Sequence, residues 1–191
     1  GLLSDSRTCN LERHSILSVM NNIEIKFKVH ALDKIESRLS EQPDCQFIQT
    51  LHQRDLYFPV PKGRLKLRLQ NQKDPELIFY QRENLKYPRQ SNYLIYSSSN
   101  PELLRSVLSE ALGSDVTVIK ERKLWMFRNV RIHLDRVDDL GEFLELEAVV
   151  DKKHNKQVSA QNLENVLQKL SGFSLNPIPE SYSDLLIRKE S

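Results

Sequence analysis

The chain has 191 residues, of which 39% are hydrophobic and 28% charged, enough for one domain with a sizeable buried core. A net charge of +2 gives no bulk electrostatic case for a nucleic-acid partner, and no apolar run reaches the ~20 residues of a membrane-spanning helix. The first twenty residues are broken by charges and lack the apolar region of a signal peptide, and Cys9 and Cys45 make no metal-ligand spacing. The reading is a reduced, cytoplasmic protein that engages neither nucleic acid nor membrane.

In chain order, residues 1–20 have no clean period and are read as an N-terminal extension, followed by a domain over 21–191. The stretch "NIEIKFKV" (22–29) alternates strictly and predicts a strand. "ALDKIESRLSE" (31–41) spaces Leu32, Ile35 and Leu39 as an amphipathic helix does. A long strand is expected over 45–58, stopped by Pro59 and Pro61, then strands at 63–70, 76–83 and 91–98 separated by turns. "NPELLRSVLSEALG" (100–113) predicts a helix capped by Asn100, begun by Pro101 and ended by Gly113. Strands follow at 115–127, 129–137 and 141–151. A helix is expected over 159–172, with Ser159 as cap and Gly172 as stop, and the tail adds a short helical turn.

About eight strands joined mostly by hairpin-length links make an antiparallel sheet that either needs covering or curls closed. The strand period then sorts residues by face. Glu24, Lys26 and Lys28 alternate with Ile23, Ile25, Phe27 and Val29, and Arg64, Lys66 and Arg68 with Leu65, Leu67 and Leu69. Arg82, Lys120, Arg122, Arg131, His133, Asp135, Glu145 and Glu147 fall on the same polar face of their strands. On one strand this is an ordinary wet face. Across six, cations crowd the middle strands and carboxylates gather on the first and the last two. With that face turned inward, so many cations in a low-dielectric bore need an anionic guest, and a polyphosphate matches Arg and Lys donors. Carboxylates on the same face suit Mg²⁺ or Mn²⁺, which take oxygen ligands. His133 is expected to be a hydrogen-bonded filler, and Trp125 and Tyr57 to be packing residues.

The segments "NIEIKFKV", "QRDLYFPVPKGRLKLR", "LIFYQRE", "VIKERKLWMFRNVRIHLDRVDDLGEFLELE" and "SYSDLL" resemble the CYTH superfamily of triphosphate tunnel metalloenzymes, and within it class IV (CyaB-type) adenylyl cyclase-like proteins. The resemblance implies an α+β fold: a closed eight-stranded antiparallel β-barrel with flanking helices, whose tunnel binds a triphosphate and a divalent metal. It also implies Glu24, Glu145, Glu147 and Asp135 as metal ligands, and Lys26, Lys66, Arg68, Arg82, Lys120 and Arg122 as the phosphate cradle, with Lys28, Arg64 and Arg131 sharing the inward parity. Glu24, Lys26 and Glu145 are the implied catalytic residues. The family motif at the first strand is Glu-x-Glu-x-Lys, and its first Glu falls on Asn22, which can offer a carbonyl oxygen but no charge.

The expected activity is metal-dependent hydrolysis of tripolyphosphate or an organic triphosphate such as thiamine triphosphate or ATP. Two alternatives stay open: an adenylyl cyclase that makes cyclic AMP and pyrophosphate from ATP, and a triphosphate-binding protein with weak turnover. A homodimer is compatible with all three.

Overall fold

The structure, a computed structural model, describes residues 18–71, 73–114 and 116–190. Residues 1–17 of the expected extension, with Cys9, lie outside the described residues. Strand β1 (Ser18–Lys28) begins four residues earlier than its alternation predicts. It leads to helix α1 (Leu32–Ser40), then to β2 (Gln46–Phe58), β3 (Arg64–Gln70), β4 (Lys73–Arg82) and β5 (Arg89–Ser97). Helix α2 (Pro101–Leu112) separates these from β6 (Thr117–Phe127), β7 (Val130–Val137) and β8 (Gly141–Val150), after which come α3 (Lys156–Lys169), the two-residue β9 (Asn176–Pro177) and α4 (Tyr182–Glu190).

The strand order β5-β4-β3-β2-β6-β7-β8-β1 closes on itself through β1 and β5, where Glu24 lies opposite Arg89 and Asn22 opposite Ser91. The result is the closed eight-stranded antiparallel barrel, flanked among the described residues by four helices, with β9 as a short addition beside Phe27 and Lys28. Closure removes the open edges that a free sheet exposes. It also fixes one face of every strand inward.

The apolar face points outward and is covered by helices. Ile23, Ile25 and Phe27 of β1 pack with Ile132, Leu134, Leu144 and Leu146 beneath Leu32, Ile35 and Leu39 of α1 and Leu163 and Val166 of α3. A smaller cluster joins Leu56, Phe58 and Leu67 to Leu104 and Leu108 of α2. Gly63 makes the turn into β3 at φ +68°, with a Cβ there only 2.7 Å from the Tyr80 carbonyl oxygen. Only glycine fits such a position without strain.

Helix ends follow local chemistry. The Asn100 side chain accepts a hydrogen bond from the Leu103 N–H, with Pro101 next to it, and Gly113 caps the far end at φ +76°. Helix α3 starts three residues before the expected 159. Its cap is Asn155, which accepts from the Val158 N–H, whereas Ser159 is buried inside the first turns and bonds to the Val149 and Asp151-loop carbonyls through Val149 O and His154 O. The helix closes at Leu170, two residues short of Gly172. The expected helical turn of the tail is a nine-residue helix, α4.

This last helix decides the shape of the bore. Tyr182 and Leu186 pack on Tyr57, Val137 and Phe143, which share the inward parity at one end of the barrel. That end is plugged. The opposite end carries the partly exposed Gln49, Leu51, Gln70 and Asn71 and is the mouth.

Candidate functional site

The bore encloses a cavity of ≈ 390 Å³. Asn22, Glu24 and Lys26 of β1 line it with Lys66 and Arg68 of β3 and Arg82 of β4. The other wall brings Lys120 and Arg122 of β6, Arg131 and His133 of β7, and Glu145 and Glu147 of β8. These are the inward residues of alternating strands, and the register explains their neighbours: Lys26 sits opposite Glu145 and Glu24 opposite Glu147 across β1 and β8.

Two charge clusters divide the cavity. The first centres on Asp55 of β2, which is 0% exposed. Its carboxylate accepts from Arg68 Nε and Nη2, both at 2.7 Å, from Lys66 Nζ at 3.0 Å and from Lys120 Nζ at 3.0 Å. Burial opposes the charge on Asp55, but Arg68, Lys120 and Lys66 outweigh it and hold its carboxyl well below the usual range. Burial, Arg68 and Lys120 together pull the Lys66 ammonium down to about 7 against the pull of Asp55. Lys120 is lowered to about 8, by burial first.

The second cluster gathers the acids of β1 and β8. Glu24 accepts from the Tyr93 hydroxyl and pairs with Arg82 at 3.1 Å and Arg89 at 3.7 Å. Burial, then Glu145, raises its carboxyl above the usual range despite Arg82 and Tyr93. Glu145 is held the other way: burial is overcome by Lys26 (3.1 Å), Arg122 (3.2 Å) and the His133 ring, 3.2 Å from Oε1, and its carboxyl lies well below the usual value. Glu147 accepts from the Asn22 amide and pairs with Arg131 at 3.3 Å. His133 is kept neutral by burial and by Arg122, the hydrogen-bonded role expected of it.

Three expected site residues do not reach the cavity. Asp135 is 0% exposed and both its oxygens are taken, at 2.7 and 2.6 Å by Arg122 and at 2.6 Å by the Tyr182 hydroxyl. It lies under the plug and orients Arg122, with both oxygens already hydrogen-bonded within the protein. Arg64 bonds Asp184 at 2.6 Å and Asn84 at 3.1 Å at the plugged end. Lys28 donates to the Leu140 carbonyl and lies over the Phe143 ring. Their parity is inward, but their strands run past the end of the cavity there.

The alternation argument also missed residues. Asp55 shares its face with Gln53 and Tyr57 in "HQRDLYF", a mixture without a charge pattern. Tyr57, expected only to pack, does pack in the plug but also lines the bore. Tyr93 and Tyr182 carry hydroxyls whose task depends on acids from distant strands. Trp125 packs outside the barrel against Phe47, as expected.

Among the described residues no group of three or more His, Cys, Asp or Glu converges to hold a metal ion. The donor chemistry nevertheless fits one hard cation beside β1. Asn22 is 1% exposed, its amide N–H is spent on Glu147, and its Oδ1 is buried without a partner next to Glu24. An orphaned buried acceptor costs free energy that a cation or donor would recover. With Asp135 engaged and Asn in place of the first motif acid, the set fits one cation better than two.

A closed barrel with a cationic, carboxylate-edged bore defines the class of triphosphate tunnel proteins. The family model of the CYTH domain matches residues 20–182, and the chain belongs to that family. Among solved structures it is similar to the PH1012 protein from Pyrococcus horikoshii OT3, with TM-score 0.75 and 23% identity over 86% of this chain and 98% of the other. It is similar also to a proposed adenylate cyclase from Vibrio parahaemolyticus, with TM-score 0.66 and 18% identity over 86% and 97%. A chain of the Schizosaccharomyces pombe Mediator head module shares the fold at TM-score 0.62 and 12% identity, over 82% and 98%. At these identities the likeness is one of fold. No curated protein matches the sequence. No described helix is long and apolar enough to cross a membrane.

Proposed function

We propose that the protein binds a triphosphate in the barrel and hydrolyses it with one divalent cation, Mg²⁺ or Mn²⁺, held by Glu24, Glu147 and the Asn22 carbonyl. The observation that carries this reading is the buried cluster of Lys66, Arg68 and Lys120 on Asp55, which presents three cations to the bore from a fixed base. Phosphoryl transfer is governed by positioning and charge neutralisation rather than covalent chemistry, and a preset cationic wall provides both.

In this reading Lys66, Arg68 and Lys120 hold one end of the phosphate chain, while Lys26, Arg82 and Arg122 flank its middle. Arg131, at the mouth, steers the anion inward. Glu145 is held too acidic to accept a proton and instead positions Lys26 and Arg122. Glu24, whose carboxyl is raised without metal, would be ionised by the cation it holds. A bound divalent ion would neutralise phosphate oxygens and relieve the repulsion among Glu24, Glu145 and Glu147.

The partly exposed amides Gln49, Gln70 and Asn71, beside Leu51 and Leu124, leave the β2–β3 side of the mouth, away from Arg131, without charge. That favours a substrate with an organic group beyond its phosphates, thiamine triphosphate or ATP, over tripolyphosphate alone. A second reading, binding with little turnover, is favoured by Asn22 and by the pairing of every cavity acid of β1 and β8 with a protein cation or amide. Incubation of the purified chain with Mg²⁺ or Mn²⁺ and each triphosphate separates the outcomes. Orthophosphate release supports hydrolysis, cyclic AMP with pyrophosphate supports cyclisation, and tight binding without product supports the second reading. Absence of triphosphate binding overturns all of them.

A further inference from the structure

Asp55 is the residue around which the cationic wall is built, yet it does not line the cavity. It stands behind Lys66, Arg68 and Lys120, fully buried, and each of the three reaches it within 3.0 Å. Three cations this close repel one another strongly in a low-dielectric interior. Two of them are lysines, which answer repulsion by losing a proton; arginine cannot. The buried Asp55 carboxylate, which all three cations reach, therefore bears directly on how many charges the wall presents.

We propose that Asp55 is a positioning residue that keeps Lys66 and Lys120 protonated and aimed into the bore, so that it sets the pH range over which the protein captures a triphosphate. The inference rests on the proposed function, since it needs an anion to be bound there. The surroundings support it from every side. Lys66 faces Asp55 of β2, Arg68 of its own strand and Lys120 of β6, and stands 5.6 and 5.5 Å from the Tyr57 and Tyr80 rings. Lys120 faces Asp55, Arg68, Arg122 and Asp135, with the Tyr182 ring 5.5 Å away. Among the described residues Asp55 pairs with both ammonium groups, and Glu76 of β4, buried opposite Arg68, also lines the cavity. Arg68 carries a bidentate bond to Asp55 that also fixes its guanidinium plane.

Removing this charge has two opposed effects. The wall loses a negative charge, which alone would tighten an anion. It also loses the group that raises Lys66 and Lys120, whose protons are already held weakly at about 7 and about 8. At and just below neutral pH, where the native lysines are still protonated, the second effect wins, because two cations are lost for one anion removed. Above about pH 8 the native lysines have given up their protons too, and only the first effect is left.

The test is equilibrium binding of tripolyphosphate, by calorimetry without added metal, from pH 6 to 9 for the native chain and for Asp55→Asn. Comparison at each pH cancels the titration of the ligand itself. The expected result is a loss of about tenfold or more at pH 6 to 7, the order of one charge-assisted hydrogen bond, shrinking or reversing at pH 9. Asp55→Glu, which keeps the charge, is expected to restore the native pH profile at reduced affinity. An Asp55→Asn loss that is the same at every pH would overturn the proposal and leave Asp55 a purely structural residue. If Asp55→Asn does not fold, Lys66→Arg decides: a cation that cannot lose its proton is expected to flatten the decline of affinity above pH 7, and an unchanged decline overturns the proposal. Failure of the native chain to bind tripolyphosphate at any pH would instead overturn the proposed function.

Discussion

The Asn22 amide donates to the Glu147 carboxylate across β1 and β8, while its own carbonyl oxygen stays buried and unpartnered beside Glu24. Where the family likeness implies an acid, Asn22 thus ties down one neighbouring acid and, in the proposed site, offers a cation a single neutral oxygen. Asn22→Glu would place a third carboxylate against Glu24 and Glu147. Without metal the variant is expected to be less stable, since like charges so close resist joint ionisation. With Mn²⁺ it is expected to bind metal at least about tenfold more tightly, the usual scale of a change in the donors around a metal. Calorimetric metal titration checks this, and an unchanged affinity would remove Asn22 from the metal site.

Lys66→Ala and Arg68→Ala each take one donor from the proposed cradle and leave Asp55 with fewer partners. Each is expected to weaken triphosphate binding by about 10- to 100-fold, the range of a charged hydrogen bond. Arg64→Ala, outside the cavity, should change it by less than about threefold. Equal effects from all three would mean that the bore is not where the anion sits.

Ligand-free stability should depend on pH in a direction opposite to binding. Lys66 and Lys120 have folded values of about 7 and about 8, below the 10.5 of an unfolded lysine. Between those values the unfolded chain binds more protons, so stability rises with pH. The burial cost of the two charged ammonium groups is therefore fully present below pH 7 and is relieved as pH climbs towards 10. A melting temperature a few degrees higher at pH 9 than at pH 7 is expected, about 2–4 °C for each kcal/mol in a chain of this size. A flat or falling profile would show that the two lysines are not buried as described.

Asp135→Asn separates its observed role from the metal-binding role that the family likeness implies. It leaves the buried Arg122 guanidinium without its bidentate partner, a loss of about 3–5 kcal/mol when one member of a buried pair is removed. Denaturant unfolding should reveal that loss, whereas Mn²⁺ affinity should not move. Weakened metal binding in a folded variant would restore Asp135 to the ligand set.

Gly63→Ala tests the turn that aims β3. The new Cβ would meet the Tyr80 carbonyl oxygen at 2.7 Å in a left-handed conformation. A cost of about 2 kcal/mol or more is expected from the backbone conformation alone, seen as a lower melting temperature.

How much of this the sequence disclosed depends on the range of the interaction. Strand faces were legible because the strand period is two, so that "IEIKFKV", "RLKLRL" and "EFLELE" each state which residues share a side. The caps of α2 were legible because Asn100, Pro101 and Gly113 act on their own turns. Helix α3 was misplaced by three residues because Ser159 and Asn155 are both competent caps, and tertiary packing put Ser159 under β8 instead. The site was legible as an inventory of charges and illegible as a set of pairs. Asp55 sits between Arg54 and Leu56 with nothing nearby to signal that three cations from two other strands would meet on it.

The sequence by itself determined that one face of a long antiparallel sheet is charged and the other apolar, for which strand periodicity suffices. That the sheet closes with the charged face inward was implied by the family resemblance and is shown by the pairing of β1 with β5. Only the tertiary structure decided where the bore ends and which charges remain available within it. Tyr182 and Leu186 of α4 plug one end, closure sets Lys26 against Glu145 and Asn22 beside Glu147, and Asp55 collects Lys66, Arg68 and Lys120. The physical reason is that a side chain's face follows from its own strand, whereas its partner is set by the register and closure of all eight.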